Sequence, residues 1–161
     1  MELMIDPEEA IRKNRLVGIK MVLLSLRLRD NWARLFGDTE AAAICLAIVA
    51  TVAERLIRVD LNDDLRSLSI PMPTEALTGC NISSIAVTTG LNRETTRRKV
   101  NRLIAEGKVV RDRGKILLAP GFTQQEIASS IVHEQLDELR RTANALLRMG
   151  VLTVQASAPV K

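Results

Sequence analysis

Between residues 81 and 121 the chain is punctuated so closely that few arrangements remain open to it. Asn81 precedes an apolar run over residues 82–89 that Gly90 ends, and Asn92 precedes a second run over 93–106 that Gly107 ends. An asparagine before a helix can accept a bond from a free first-turn N–H, and a glycine after it can take the left-handed conformation that stops it. Two short helices joined by a tight turn are therefore expected. Ala86 is small enough to let them cross closely, with Ile85 and Leu91 closing the inside of the corner. On the second helix Thr96, Val100 and Leu103 recur at i, i+4 and i+7, which places them on one inward face. Residues 108–118 then give two short runs of Val, Ile and Leu around Asp112-Arg113-Gly114, a hairpin pattern.

The second helix carries an unusual load. Residues 93–102 hold five cations, and residues 93–115 hold nine Lys and Arg against three acids, a local charge of +6. The whole chain sums to +4, so the remaining residues sum to −2. Charge gathered in one block of an otherwise neutral chain points to a localised anion-binding face. Opposite the buried triplet lie Asn92, Arg93, Glu94, Arg97, Arg98 and Asn101, with Arg102 a turn further on. Arginines there can grip phosphates or read guanine edges, Glu94 can accept from cytosine, and Asn101 can pair with adenine. Glu94 also precedes Arg98 by four residues, so the two are expected to orient each other. Arg111, Arg113 and Lys115 on the hairpin extend the basic set. A polyanion that releases counterions on docking would offset the repulsion among these cations.

The flanking segments read as helical. Residues 7–36 start after a capping Asp6, with Pro7 in the first turn, and carry an apolar stripe interrupted near Asp30-Asn31. A second helix over 40–58 is apolar nearly all round and belongs in a core. Residues 59–80 form a long irregular connection, and Cys80 stands at a helix entrance. A last helix over 124–147 places Ile127, Ile131, Val132, Leu136, Leu139, Ala143 and Leu146 along one seam, and the tail after Gly150 is expected to fray. With only Trp32, Phe36 and Phe122 as aromatics, aliphatic side chains must do most of the packing, which favours helix on helix.

Other chemistries find little to work with. Two cysteines, Cys45 and Cys80, make neither a disulfide framework nor a metal site. His133 is the only histidine, no glycine-rich phosphate loop is present, and neither an enzyme nor a cofactor is expected. The start of the chain is acidic and its most apolar stretch is shorter than the roughly 20 residues that span a bilayer, so a cytoplasmic protein is expected. The cationic, leucine-bearing stretch from Arg12 to Arg29 has a membrane-surface alternative, but a protein interface would bury its stripe without lipid.

Helix, glycine turn, helix and hairpin is the order of a winged helix-turn-helix. The segment "ISSIAVTTGLNRETTRRKVNRLIAEGKVVRDRGKILLAP" resembles that domain in bacterial transcription regulators, and "GLNRETTRRKVNRL" is similar to the recognition segment of the catabolite activator family. The resemblance implies that Arg93, Glu94 and Arg98 touch bases. Lys99 departs from it, standing where the motif usually has an apolar residue; its stem is expected to cover the core edge while its charge reaches outward. Nothing in the residues upstream of the motif suggests a cyclic-nucleotide barrel, since they read as helical and lack strand-and-glycine patterning. Helices on both sides of it are more like the multiple-antibiotic-resistance (MarR) type, in which terminal helices form the dimer. The expectation is thus a mainly α chain: a dimerising segment over 1–37, a three-helix core with hairpin wing over 38–121, a dimerising helix over 122–150 and a tail over 151–161. Its expected partners are double-stranded DNA and a second copy, and no residue pattern selects a small-molecule effector, although room for one is left open. Helix 93–106 would enter the major groove and wing 108–118 would grip the flanking backbone. The alternative is a winged domain that meets an acidic protein instead.

Overall fold

The structure, a computed structural model, describes residues 2–56, 79–122 and 126–155. It is mainly helical, with two small antiparallel pairs of strands. In chain order the elements are β1 (Glu2–Ile5), α1 (Pro7–Arg12), α2 (Asn14–Phe36), α3 (Thr39–Leu56), α4 (Ile82–Thr89), α5 (Arg93–Ala105), β2 (Val109–Asp112), β3 (Lys115–Leu118), α6 (Glu126–Arg148) and β4 (Leu152–Gln155). They fold as two compact units, Met1–Arg29 with His133–Lys161, and Asp30–Val132.

The larger unit holds the core. Ile44, Cys45 and Ile48 of α3 are fully buried, and Ile85, Val100, Leu103, Val109 and Ile116 meet the same cluster from α4, α5 and the hairpin. Helix α3 is so apolar because it is surrounded: α4, α5 and β3 all pack on it. The scarce aromatics work as a group. Trp32 stacks on Phe36 with ring centroids 6.2 Å apart, and Phe36 on Phe122 at 5.6 Å. Geometry of that kind adds to the area each ring removes from water.

The smaller unit corrects two expectations. Residues 7–36 are not one unbroken helix: a break falls at Lys13, between α1 and α2, and α2 then runs on through Asp30 and Asn31, where the apolar stripe is interrupted. At the break the Lys13 ammonium reaches the Met149 carbonyl and Glu9, the latter at 2.6 Å. The tail after Gly150 does not fray throughout either. Gly150 turns the chain at φ 73°, and β4 then pairs antiparallel with β1 from Glu2↔Gln155 to Ile5↔Leu152. Beside that pair the Asp6 N–H donates to the Val151 carbonyl at 3.0 Å. Further along, α2 and α6 are tied by Arg27 to Glu138 at 2.9 Å and by the Gln135 side-chain amide to the Leu28 carbonyl at 3.1 Å.

Most of the connection expected over 59–80 lies outside the described residues; its last two do not. Cys80 is buried rather than merely adjacent to a helix, and it exchanges two backbone bonds with Ile116, 3.0 and 2.8 Å long. The hairpin thereby gains a third, one-residue strand on the outer edge of β3. Gly79 is required just before it, because a Cβ at that position would collide with the Cβ of Lys115.

Candidate nucleic-acid interface

The local signals that bound α4 and α5 all act as their chemistry suggests. Asn81 and Ser84 form a reciprocal cap: the Ser84 N–H donates to Asn81 Oδ1 at 2.8 Å and the Asn81 N–H to Ser84 Oγ at 3.1 Å. Gly90 is left-handed at φ 71° and ends α4. Asn92 Oδ1 then accepts from the Glu94 N–H at 2.8 Å, starting α5 within three residues of the previous helix's end. Ile85 and Ala86 are buried in the corner, and Leu91 packs against the core.

The inward face of α5 is the expected one. Thr96, Val100 and Leu103 are all buried, and Thr96, the only buried polar residue among those described, donates its hydroxyl to the Asn92 carbonyl at 3.0 Å. The outward face is exposed at Asn92, Arg93, Glu94, Arg97, Arg98, Asn101 and Arg102. Its charges fall into three states. Arg93 and Arg98 are exposed and make no ion pair with any described residue. Arg97 holds Glu94 through two bonds of 2.9 and 2.5 Å, which keeps the Glu94 carboxyl below its ordinary range. The expected partner of Glu94 is Arg98; the pairing instead closes at i+3, and Arg98 acts on Glu94 through its charge without a hydrogen bond to it.

Lys99 and Arg102 behave differently. Lys99 does not send its charge outward. Its Nζ lies 2.6 Å from Asp38 and 3.1 Å from Glu40, and its side chain is only 17% exposed. Arg102 is shared between Glu106 at 2.7 Å and Asp38 at 3.8 Å. The hydrogen bond from Lys99 is the main cause holding the Asp38 carboxyl below its usual range, and it raises Lys99 in turn. Asp38 also accepts from the Ala41 N–H at 2.8 Å, so one carboxylate both caps α3 and receives Lys99. Sequence spacing offered no hint of this contact, since 61 positions separate the partners.

On the hairpin, β2 and β3 pair from Val109↔Leu118 to Asp112↔Lys115, and Arg113-Gly114 make the turn. Arg111, Arg113 and Lys115 are exposed and have no acidic partner among the described residues. Arg113 is the one described non-glycine residue with positive φ, at 46°, followed by Gly114 at 78°. Two left-handed residues in succession suit the twist of a two-residue hairpin, but Asn-Gly is the composition that adopts it easily. An arginine there costs roughly 1–2 kcal/mol.

The smaller unit has cations too, and the contrast is useful. Lys20, Arg27, Arg141 and Arg148 line an open trough of about 240 Å³, but Arg27 and Arg141 both reach Glu138, and Arg141 also meets Asp137 at 2.7 Å. His133 is exposed on α6, and no group of three or more His, Cys, Asp or Glu among the described residues is placed to hold a metal ion. Among the described residues no helix is long and apolar enough to cross a membrane. Comparison with protein-family models, with curated proteins and with solved structures finds no match.

Proposed function

We propose that the chain binds double-stranded DNA as a transcription regulator, with α5 as the recognition helix of a winged helix-turn-helix and the β2–β3 hairpin as its wing. The observation that carries this reading is the clustering of five exposed cations that form no ion pair with a described residue on two neighbouring elements of the larger unit: Arg93 and Arg98 on α5, and Arg111, Arg113 and Lys115 on the hairpin. They stand on elements whose other sides are fixed in the core by Thr96, Val100, Leu103, Val109 and Ile116. Rigid backbone and free guanidinium groups are what phosphate and base-edge contacts require. The strained Arg113 adds weight, because an energetically awkward residue at a hairpin tip is the kind of feature kept for a contact.

A second copy of the chain completes the reading. In the smaller unit Leu16, Ile19, Leu23 and Leu26 of α2 are exposed at spacings of three, four and three residues, as are Leu136 and Leu139 of α6. That spacing is the seam helices use to pack on one another, and apolar surface left open in this way marks an interface. A twofold dimer would present two α5 helices to half-sites about 34 Å apart, or a multiple of that. The test is a titration of arbitrary duplex DNA at two salt concentrations. Binding in the range of about 10⁻⁴–10⁻⁶ M that weakens steeply with salt supports the proposal, and no binding at low salt overturns it.

A further inference from the structure

Two carboxylates beside α5 have no place in the scheme above. Asp38 and Glu40 sit at the start of α3, and both reach Lys99: Asp38 Oδ2 at 2.6 Å and Glu40 Oε2 at 3.1 Å from its Nζ. Neither is needed there as a charge to start α3. The cap itself uses the other oxygen of Asp38, Oδ1, on the Ala41 N–H, and an uncharged asparagine caps as well as aspartate.

The position of Lys99 on the helix gives the arrangement its meaning. At roughly 100° per residue, Lys99 lies on the flank of the face centred on Arg98. A helix in a major groove about 12 Å wide has phosphates along both flanks. Lys99 stands between that face and the buried one, and its long stem could carry the charge out to one of those phosphates. Here two carboxylates take the place of the phosphate oxygens. Arg97, on the other flank, is held only by the exposed Glu94. The two sides of the helix are thus unequal: one cation is loosely paired in solvent, the other is clamped and largely covered.

We propose that Asp38 and Glu40 act as a built-in phosphate substitute that withholds Lys99 from nucleic acid, lowering sequence-independent affinity so that the contacts of Arg93 and Arg98 decide where the protein binds. The inference rests on the DNA-binding reading. Its logic is that of any specificity device: discrimination is a difference of affinities, and it widens when the affinity common to all sequences is reduced. Arg102 feels the same carboxylate at 3.8 Å, with Glu106 as its nearer partner. Lys99 is on this account a cation excluded from the contact set, and Asp38 and Glu40 are specificity-determining residues that never touch DNA.

The experiment is the salt dependence of binding to an arbitrary duplex, whose slope counts the phosphates neutralised, at about 0.9 each. The full-length chain with D38N and E40Q together keeps the α3 cap and frees Lys99. Its slope should steepen by about one phosphate and its affinity for arbitrary DNA should rise. K99M in the otherwise unchanged chain should leave the slope where it was. An unchanged or shallower slope in the acid-neutralised chain, or a K99M slope shallower by about one phosphate, overturns the proposal. Should the acid-neutralised chain not fold, the K99M arm decides alone. If the unchanged chain binds no duplex at all, the DNA-binding reading fails separately, and the withholding is then read from heparin chromatography. Later elution of the D38N/E40Q chain in a salt gradient supports it; elution together with the unchanged chain overturns it.

Discussion

Arg113 is the residue at which the proposed function and the stability of the fold pull in opposite directions. Its φ of 46° is one that asparagine or glycine takes with little strain and arginine does not. Arg113→Asn should therefore stabilise the fold by about 1 kcal/mol in denaturant unfolding while weakening binding to all duplex sequences alike and flattening the salt dependence. A stabilised variant with unaltered DNA affinity would mean the arginine is there for another reason. Cys45 makes the opposite case, a reactive group silenced by its surroundings. Burial in the core pushes its thiol up to about 12, so at neutral pH it stays protonated and unreactive. Alkylation of Cys45 by iodoacetamide should follow global unfolding, and rapid labelling of the native chain would contradict the packing described.

At the scale of elements, what could be read from the sequence was what the chain writes locally. Asn81, Gly90, Asn92 and Gly107 act within a few residues of themselves, so α4 and α5 begin and end close to where composition places them. Strands β1 and β4 escaped notice for the converse reason. Each is four residues long, as β2 and β3 are, but no turn joins them, and their pairing brings together the two ends of the described chain. The Lys99 clamp was hidden likewise: a lysine at a normally apolar position reads as a side chain reaching outward until a carboxylate from another helix is seen beside it. Glu9, one turn before the break at Lys13, carries a pH signature. Hydrogen bonds first from Arg12 and then from Lys13 lower its carboxyl from 4.5 to about 2. The ionised form stabilises α1, so that contribution is complete above about pH 4.5 and is lost as pH falls toward 2. In acid titrations followed by circular dichroism, Glu9→Gln should show a smaller loss of helix over that window; an identical curve would show that the pair contributes nothing.

For the whole molecule, the sequence pattern and the structure agree that the chain is mainly helical, and the apolar stripes of its flanking helices are visible in both. Leu136 and Leu139 are 59% and 54% exposed, and a second copy would bury them. Sedimentation should find a dimer at micromolar concentrations, and Leu136→Glu with Leu139→Glu should convert it to a folded monomer. A wild-type monomer, or a dimer indifferent to both changes, would remove the twofold arrangement and with it the spacing of half-sites.

The central claim is that α5 presents free arginines to a duplex, and replacing Arg93 and Arg98 together by alanine addresses it most directly. With helix content unchanged, affinity for duplex DNA should fall at least about tenfold, since each such contact contributes on the order of 1–3 kcal/mol. A folded double variant that binds as tightly as the unchanged chain would contradict the account.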